Sequence, residues 1–442
     1  MERENWTSRL GFILAASGSA IGLGNIWRFP FVTGTNGGAI FILIYLAAIT
    51  LLGYPILVSE MSLGRTTAKN PIGAFKKIAP NTGWPLVGAL GVLSGFVILS
   101  YYSVVAGWGM SYIFKSLTFT ANNNFPQLFE QHIGSLVQPI FWHGVFMLLT
   151  VVVIGAGIVN GIQKLVKYLM PILFIIIILL IFRSLTLNGA ARGLSFYLKP
   201  DFSEITLQTF ADAISQAFFT LSLGMGAMIT YGSYLNKKES ITESAVYVII
   251  FDTLVALLAG FAIFPAVFSF GFDPASGPGL TFITLPAVFT KMPFGNFFSL
   301  IFFVLLTIAA LTSSISMLEV VVAFLVDEYS WSRKKASYLV GLLIFLVGIP
   351  PLLGYSKLAT INFLGMNLLD SYDWITNTIF LPAGGILTAI FVGHIWGSKQ
   401  AAIEANQNSR LKIGLIYEIL LKYIVPLAVL AIMLISIWKT LS

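Results

Sequence analysis

The stretch Gly18-Ser19-Ala20-Ile21-Gly22-Leu23-Gly24-Asn25-Ile26-Trp27-Arg28-Phe29-Pro30 decides how this chain is read. It lies inside an apolar run, at about residues 10–34, long enough to cross a bilayer as a helix. Yet it carries three glycines, a hydroxyl, an amide and a guanidinium near the middle of that run. A second cluster, Thr220-Leu221-Ser222-Leu223-Gly224-Met225-Gly226, interrupts the sixth such run. Close helix packing through small residues is one reading of the pattern. The glycines beside hydroxyls and Asn25 exceed what packing needs, which favours helices that unwind at mid-membrane. An unwound turn exposes carbonyls that coordinate a cation, and the following half-helix presents N–H groups to a carboxylate.

Of the 442 residues, 57% are hydrophobic and only 10% are charged, against roughly 25% charged in soluble domains. A soluble multidomain enzyme is excluded. A β-barrel is excluded as well, because its strands alternate rather than run apolar. Apolar segments at about 10–34, 39–61, 87–115, 139–158, 165–183, 210–234, 242–270, 295–326, 336–353, 374–396 and 413–438 give eleven candidate helices. The expected fold is an all-α integral membrane protein, one domain over residues 1–442. A five-helix repeat at 10–183 is followed by a second, inverted repeat at 210–396 and an extra helix at 413–438. The interruptions fall in helices one and six, five apart, as an inverted repeat predicts. Residues 271–294, rich in Pro and Gly, read as a re-entrant or surface hairpin. There is no cysteine, and the three histidines are scattered. Disulfides and thiolate chemistry are excluded, and neither an HExxH nor a Ser/His/Asp pattern supports an enzyme.

The net charge of +7 reports topology rather than nucleic acid. With the N-terminus cytoplasmic, sixteen Lys and Arg fall in inside loops and seven outside, with Arg28 and Lys422 inside the membrane. The excess of inside bases favours that orientation and places the C-terminus outside. Four positions stand out because intramembrane charge is costly: Arg28, Glu60, Asp252 and Glu319. Each has a bland alternative as a structural partner. Thr312-Ser313-Ser314 in the eighth helix is a hydroxyl cluster that either back-bonds to its own helix or supplies oxygen ligands to a hard cation.

The first-helix stretch, with Asn36-Gly37-Gly38, Tyr101-Tyr102, Phe219-Thr220-Leu221-Ser222-Leu223-Gly224 and Leu311-Thr312-Ser313-Ser314, resembles the neurotransmitter:sodium symporter family over essentially the whole chain. The resemblance implies sodium-driven uptake by alternating access, with two sodium ions. One ion site would use Ala20, Asn25, Thr220, Asp252 and the substrate carboxylate. The other would use carbonyls of Gly18, Ile21 and Ala309 with the hydroxyls of Thr312 and Ser313. The substrate would contact Ser19, Ala20, Leu23, Gly24, Ile98, Tyr102, Phe219, Thr220, Ser222, Met225, Ser313 and Met317. Tyr102 and the Leu23 and Gly24 amides would hold its carboxylate, and Phe219 would be the lid. Arg28 would pair with Asp373 as an outer gate through water. Arg3 with Asp327, together with Trp6 and Tyr234, would close the inner path. Gly161 and Pro171 match the family's fifth-helix pattern, in which the cytoplasmic part unwinds.

Gly22 stands where the family's amine transporters carry an Asp, so a substrate bringing its own carboxylate is expected. The apolar pocket end, Ile98, Phe219, Met225 and Met317, points to neutral hydrophobic or aromatic L-amino acids. Tyr45, Gln216 and Thr220 match the chloride-site region, but Asp252 and Ala256 replace the usual Asn and Ser, so chloride independence is expected. The resemblance to bacterial members implies the cytoplasmic membrane, with the lipid bilayer and a small amino acid as partners and no nucleic acid. The oligomeric state is not legible. A channel and a non-transporting receptor are the competing classes. Paired broken helices with gate residues on both sides favour a transporter.

Overall fold

The computed structural model describes residues 4–277 and 279–441. Among them the chain is helical throughout, with one isolated β-bridge between Phe363 and Met366. Nine unbroken helices are long and apolar enough to cross a membrane: Ala39–Thr67, Pro85–Thr118, Val137–Gly155, Ile158–Leu185, Ile241–Ser269, Gly295–Tyr329, Arg333–Leu353, Leu368–Ala405 and Leu415–Leu441. A tenth crossing is the bent pair Arg9–Ala20 and Gly24–Thr35, at 49° to each other. The remaining expected span is Leu207–Thr220 followed by Ala227–Gly232, and neither piece is long enough to cross alone. The eleven expected helices therefore resolve as nine continuous spans and two broken ones. Residues 271–294 contain a short helix, Leu280–Thr290, rather than a simple hairpin.

Local sequence explains where the helices start. Ser8 accepts the Gly11 N–H, and Thr206 forms a reciprocal cap with Thr209. Pro85 opens the third span in the first helical turn, where its missing N–H costs nothing. The breaks are equally local. At Ile21 the backbone turns extended, with ψ 105°. In the sixth segment Ser222, Gly224 and Gly226 all have positive φ, at 54°, 76° and 75°.

The two broken helices occupy the centre. The half-helix Arg9–Ala20 packs on the fifth, seventh and eighth spans, and Ala227–Gly232 packs on the second and eighth. The third span has 72% of its most apolar window buried, whereas the last span has 17%. The last span therefore lies at the rim, facing lipid. It is pinned to the second span by the Tyr417 hydroxyl, 2.7 Å from Ser59 Oγ.

A break inside hydrocarbon leaves backbone groups without helical partners, and each must be satisfied by protein. Glu60 does this for the sixth segment. It is fully buried on the second span, and its Oε1 accepts the Gly224 N–H at 2.8 Å. At Gly224 a side chain is barred twice, by the left-handed φ and by the backbone of Leu381. Gly224→Ala should destabilise the protein by about 1–3 kcal/mol, read as a lower melting temperature in detergent. An unchanged melting temperature would contradict this account of the break.

Candidate functional site

The geometry at the centre begins with Asp252, on the seventh span and 0% exposed. Its Oδ1 accepts the Thr220 hydroxyl at 2.9 Å and Asn25 Nδ2 at 2.7 Å. Asn25 Nδ2 also reaches the Asp252 carbonyl at 3.0 Å, and Asn25 Oδ1 accepts the Gly22 N–H at 2.9 Å. Asp252 Oδ2 and the Tyr45 hydroxyl are buried without a hydrogen-bond partner. One carboxylate thus ties the break of the first helix to the break of the sixth. This is a dense oxygen set in a dry site, where a hard cation is the natural complement.

A second oxygen cluster lies on the other side of the first break. Ser313 Oγ donates to the Ser19 and Ile21 carbonyls at 2.8 and 3.2 Å. Thr312 Oγ1 sits 3.2 Å from the Ile21 carbonyl and 3.0 Å from that of Ala309. Gly18 faces the same place, since a Cβ there would lie 3.5 Å from Thr312 Cβ. The bland reading is also present, because Thr312 Oγ1 lies 3.3 Å from its own i−4 carbonyl, Ile308. The Thr312 and Ser313 hydroxyls and the Ile21 and Ala309 carbonyls of the second expected ion site are nonetheless gathered together.

Between the clusters lies a small cavity of about 20 Å³. It is lined by Ser19, Ala20, Gly22, Gly24, Ile98, Tyr102, Phe219, Ser222, Met225, Ser313 and Met317. Ten of these were expected from the sequence, and Gly22 was not. Two expected residues, Leu23 and Thr220, do not line it. The Leu23 N–H instead donates to the Tyr102 hydroxyl at 2.9 Å, so this amide serves to position Tyr102. A Cβ on Gly22 would sit 2.6 Å from that hydroxyl, so any side chain there would enter the cavity at its polar end. Ser222 Oγ reaches back to the Ser19 carbonyl at 3.3 Å.

Beyond the first break, Arg28 and Asp373 form no direct ion pair. Arg28 donates to Gln216 Oε1 at 2.7 Å and to Ser215 Oγ at 3.1 Å, and its guanidinium lies 5.4 Å from the centre of the Phe219 ring. Asp373 accepts Asn377 Nδ2 at 2.8 Å. Gln216 also donates to the Gly24 carbonyl at 2.8 Å. Arg28 therefore rests on the sixth helix and on the lid ring, where desolvation favours cation–π contact.

At the amino-terminal end of the first helix, Trp6 is 6% exposed. Its indole N–H donates to the Tyr231 carbonyl at 3.1 Å and its backbone N–H to the Tyr234 carbonyl at 3.2 Å. Phe12, Tyr231 and Tyr234 surround the ring edge-on. Arg3 lies outside the described residues. Its expected partner Asp327 accepts the Asn70 backbone N–H at 2.8 Å. Sequence reasoning missed Arg333, which grips Glu319 with two bonds, of 2.6 and 2.9 Å, while the Tyr234 hydroxyl takes Glu319 Oε1 at 2.6 Å. The signal was half visible: Glu319 stood out as an intramembrane charge, but nothing in the sequence pairs it with a base fourteen residues on.

Gly161 is wound into Ile158–Gln163, and Pro171 lies within Lys164–Leu185. The fifth helix is not unwound at Gly161 in this conformation. Its start at Gly157 has φ 96°, and Glu4 caps it by accepting the Ile158 N–H at 2.6 Å. The amino-terminal segment thereby holds the fifth helix, the sixth helix and the inner end of the first together. Trp6→Ala should loosen this seal. Val166 is buried on the fifth helix against Gly18, so in a Val166→Cys background, otherwise free of cysteine, labelling should accelerate. An unchanged labelling rate would contradict the seal.

A model of the sodium:neurotransmitter symporter family matches residues 3–126 and 130–442. The uncharacterized sodium-dependent transporter YhdH of Bacillus subtilis (strain 168) is 45% identical over 435 residues, covering 97% of this chain and 96% of the relative. The sodium- and chloride-dependent taurine transporter of Canis lupus familiaris is 30% identical over 429 residues, covering 84% of this chain and 68% of the relative. Among solved structures, the crystal structure of MhsT in complex with L-phenylalanine matches with a TM-score of 0.92 and 44% identity, over 98% of this chain and 100% of that one.

Proposed function

Because the chain belongs to the sodium:neurotransmitter symporter family, we propose that it takes up neutral, hydrophobic or aromatic L-amino acids by sodium-coupled alternating access. The observation that carries this reading is the cavity itself. Its polar end has a hydroxyl, Tyr102, and a glycine, Gly22, where a fixed acid would repel a carboxylate. Its other walls are Ile98, Phe219, Met225 and Met317, apolar and, through methionine, adaptable in shape. A solved relative of nearly half-identical sequence was crystallised with L-phenylalanine, which fits this division.

In this reading two sodium ions bind. The first takes Asp252, Asn25, Thr220, the Ala20 carbonyl and the substrate carboxylate. The hydrogen bonds that now join Asn25 and Thr220 to Asp252 give way to shared ligation. The second takes the Gly18, Ile21 and Ala309 carbonyls with Thr312 and Ser313. Substrate and first ion share a ligand, so each raises the other's affinity. The two seals open in turn. Arg28 and Phe219 release outward, and Trp6, Tyr234 and the Arg333–Glu319 pair release inward with unwinding at Gly161 and Pro171. The first five-helix unit, the inverted second unit and the peripheral last helix are the parts that move. The N-terminus faces the cytoplasm and the C-terminus faces outside.

Chloride is not required in this reading. Asp252 supplies an acidic side chain beside Thr220, and Gln216 is committed to Gly24 and Arg28. No enzymatic chemistry is proposed.

Three outcomes test this. Screening the twenty amino acids in proteoliposomes should give sodium-gradient-driven accumulation of large neutral ones, unchanged when gluconate replaces chloride. Accumulation without a sodium gradient, or stimulation by chloride, would overturn the corresponding part. Asp252→Ala should abolish sodium-dependent binding, and retained sodium dependence would remove Asp252 from the first site. Thr312→Ala with Ser313→Ala should raise the half-saturating sodium concentration more than about tenfold, since a hydrogen bond or ligand to a charged group contributes about 1.5–3 kcal/mol. A normal sodium titration would count against the second site.

A further inference from the structure

A cleft of about 770 Å³ lies between the second, seventh and last spans. Its walls include Thr50, Tyr54, Ile249, Ile250 and Leu415, with Lys412 at one end. Leu51, Ile250, Leu415 and Ile416 are half or more exposed, so the cleft opens toward the surrounding bilayer. The second span widens here into a π-type turn, Ile49–Gly53. Within this apolar wall the Tyr54 hydroxyl is buried without a hydrogen-bond partner.

The Lys412 end is basic. Lys237, Lys238, Arg410 and Lys412 are all exposed, and the two loops that carry them are joined by Asn408 Nδ2 on the Lys237 carbonyl at 2.9 Å. Of the nearby acids, Glu243 takes Arg9 at 2.6 Å and the Arg410 backbone N–H at 2.7 Å, and Glu404 takes Arg65 at 2.7 Å, which leaves the Arg410 side chain and Lys412 facing outward. Lys412 Nζ uses one donor on the Asn406 carbonyl at 2.6 Å, which leaves the rest of the ammonium to the outside. An apolar slot that ends at a basic rim at the membrane surface has the charge pattern of an anionic amphiphile.

We infer that this cleft seats an acyl chain of an anionic phospholipid, with its phosphate against Lys412 and Arg410. The assignment rests on the orientation proposed above, which puts this rim at the cytoplasmic leaflet, where anionic lipid concentrates. The seat also touches the machinery from behind. A Cβ at Gly53 would lie 2.7 Å from Leu221 in the sixth-helix break, and Ile249 is one turn from Asp252. Lipid in the cleft therefore buttresses both the broken sixth helix and the carboxylate that joins the breaks.

The test uses purified, delipidated full-length protein in uncharged detergent. Phosphatidylglycerol and phosphatidylcholine of identical chains are titrated, with adducts read by native mass spectrometry and melting temperature. Phosphatidylglycerol should bind more tightly and raise the melting temperature more. Lys412→Gln with Arg410→Gln should weaken its binding about thirtyfold, at about 1 kcal/mol per charge. Thr50→Trp, which fills the cleft, should weaken both lipids together. Equal binding of the two lipids, or phosphatidylglycerol binding that survives all three substitutions, would overturn the proposal. This readout involves no transport, so loss of uptake with selective lipid binding intact would reject the symport reading alone.

Discussion

The rest of the structure depends on one constraint: hydrocarbon offers no hydrogen bonds, so every backbone group freed by a broken helix must be met by protein or ligand. This chain breaks two helices at its centre and meets the freed groups with buried polar side chains. Glu60 takes the Gly224 N–H, Tyr102 takes the Leu23 N–H, Asn25 takes the Gly22 N–H, and Ser313 covers the Ser19 and Ile21 carbonyls. Helices that ran straight through would have left none of these groups to satisfy and no site to bind a carboxylate or a cation.

The same constraint explains where charge is kept. Asp252 is stable in a dry interior because Asn25 and Thr220 donate to it. Glu319 is stable because Arg333 and Tyr234 enclose it. The two acids differ in how they are satisfied. Glu319 has a full ion pair, whereas Asp252 has only neutral donors and one oxygen left over. The first is a completed ion pair, and the second is held by neutral donors alone.

Much of this was legible in the sequence. The scarcity of charge and the apolar runs gave the spans, and the glycine clusters at residues 18–25 and 220–226 gave both breaks. The cavity residues followed from motif positions. What was not legible depends on side-chain direction across distant segments. Arg28 was expected to pair with Asp373 through water, and the sequence did not show that Gln216, Ser215 and the Phe219 ring on a neighbouring helix also receive it. Leu23 was expected to serve substrate, yet the bend at Ile21 aims its amide at Tyr102. Arg333 reaches Glu319 only because the eighth and ninth spans meet in a tight turn. Spacing along the chain encodes none of these meetings.

The central claim is that one buried carboxylate and two broken helices make a joint seat for sodium and an amino acid. Equilibrium binding of L-phenylalanine or L-leucine to the purified protein, titrated with sodium against choline, tests it most directly. The account predicts no measurable binding in choline, and a sodium affinity that rises as amino acid is added. Binding of equal strength in sodium and in choline would contradict it.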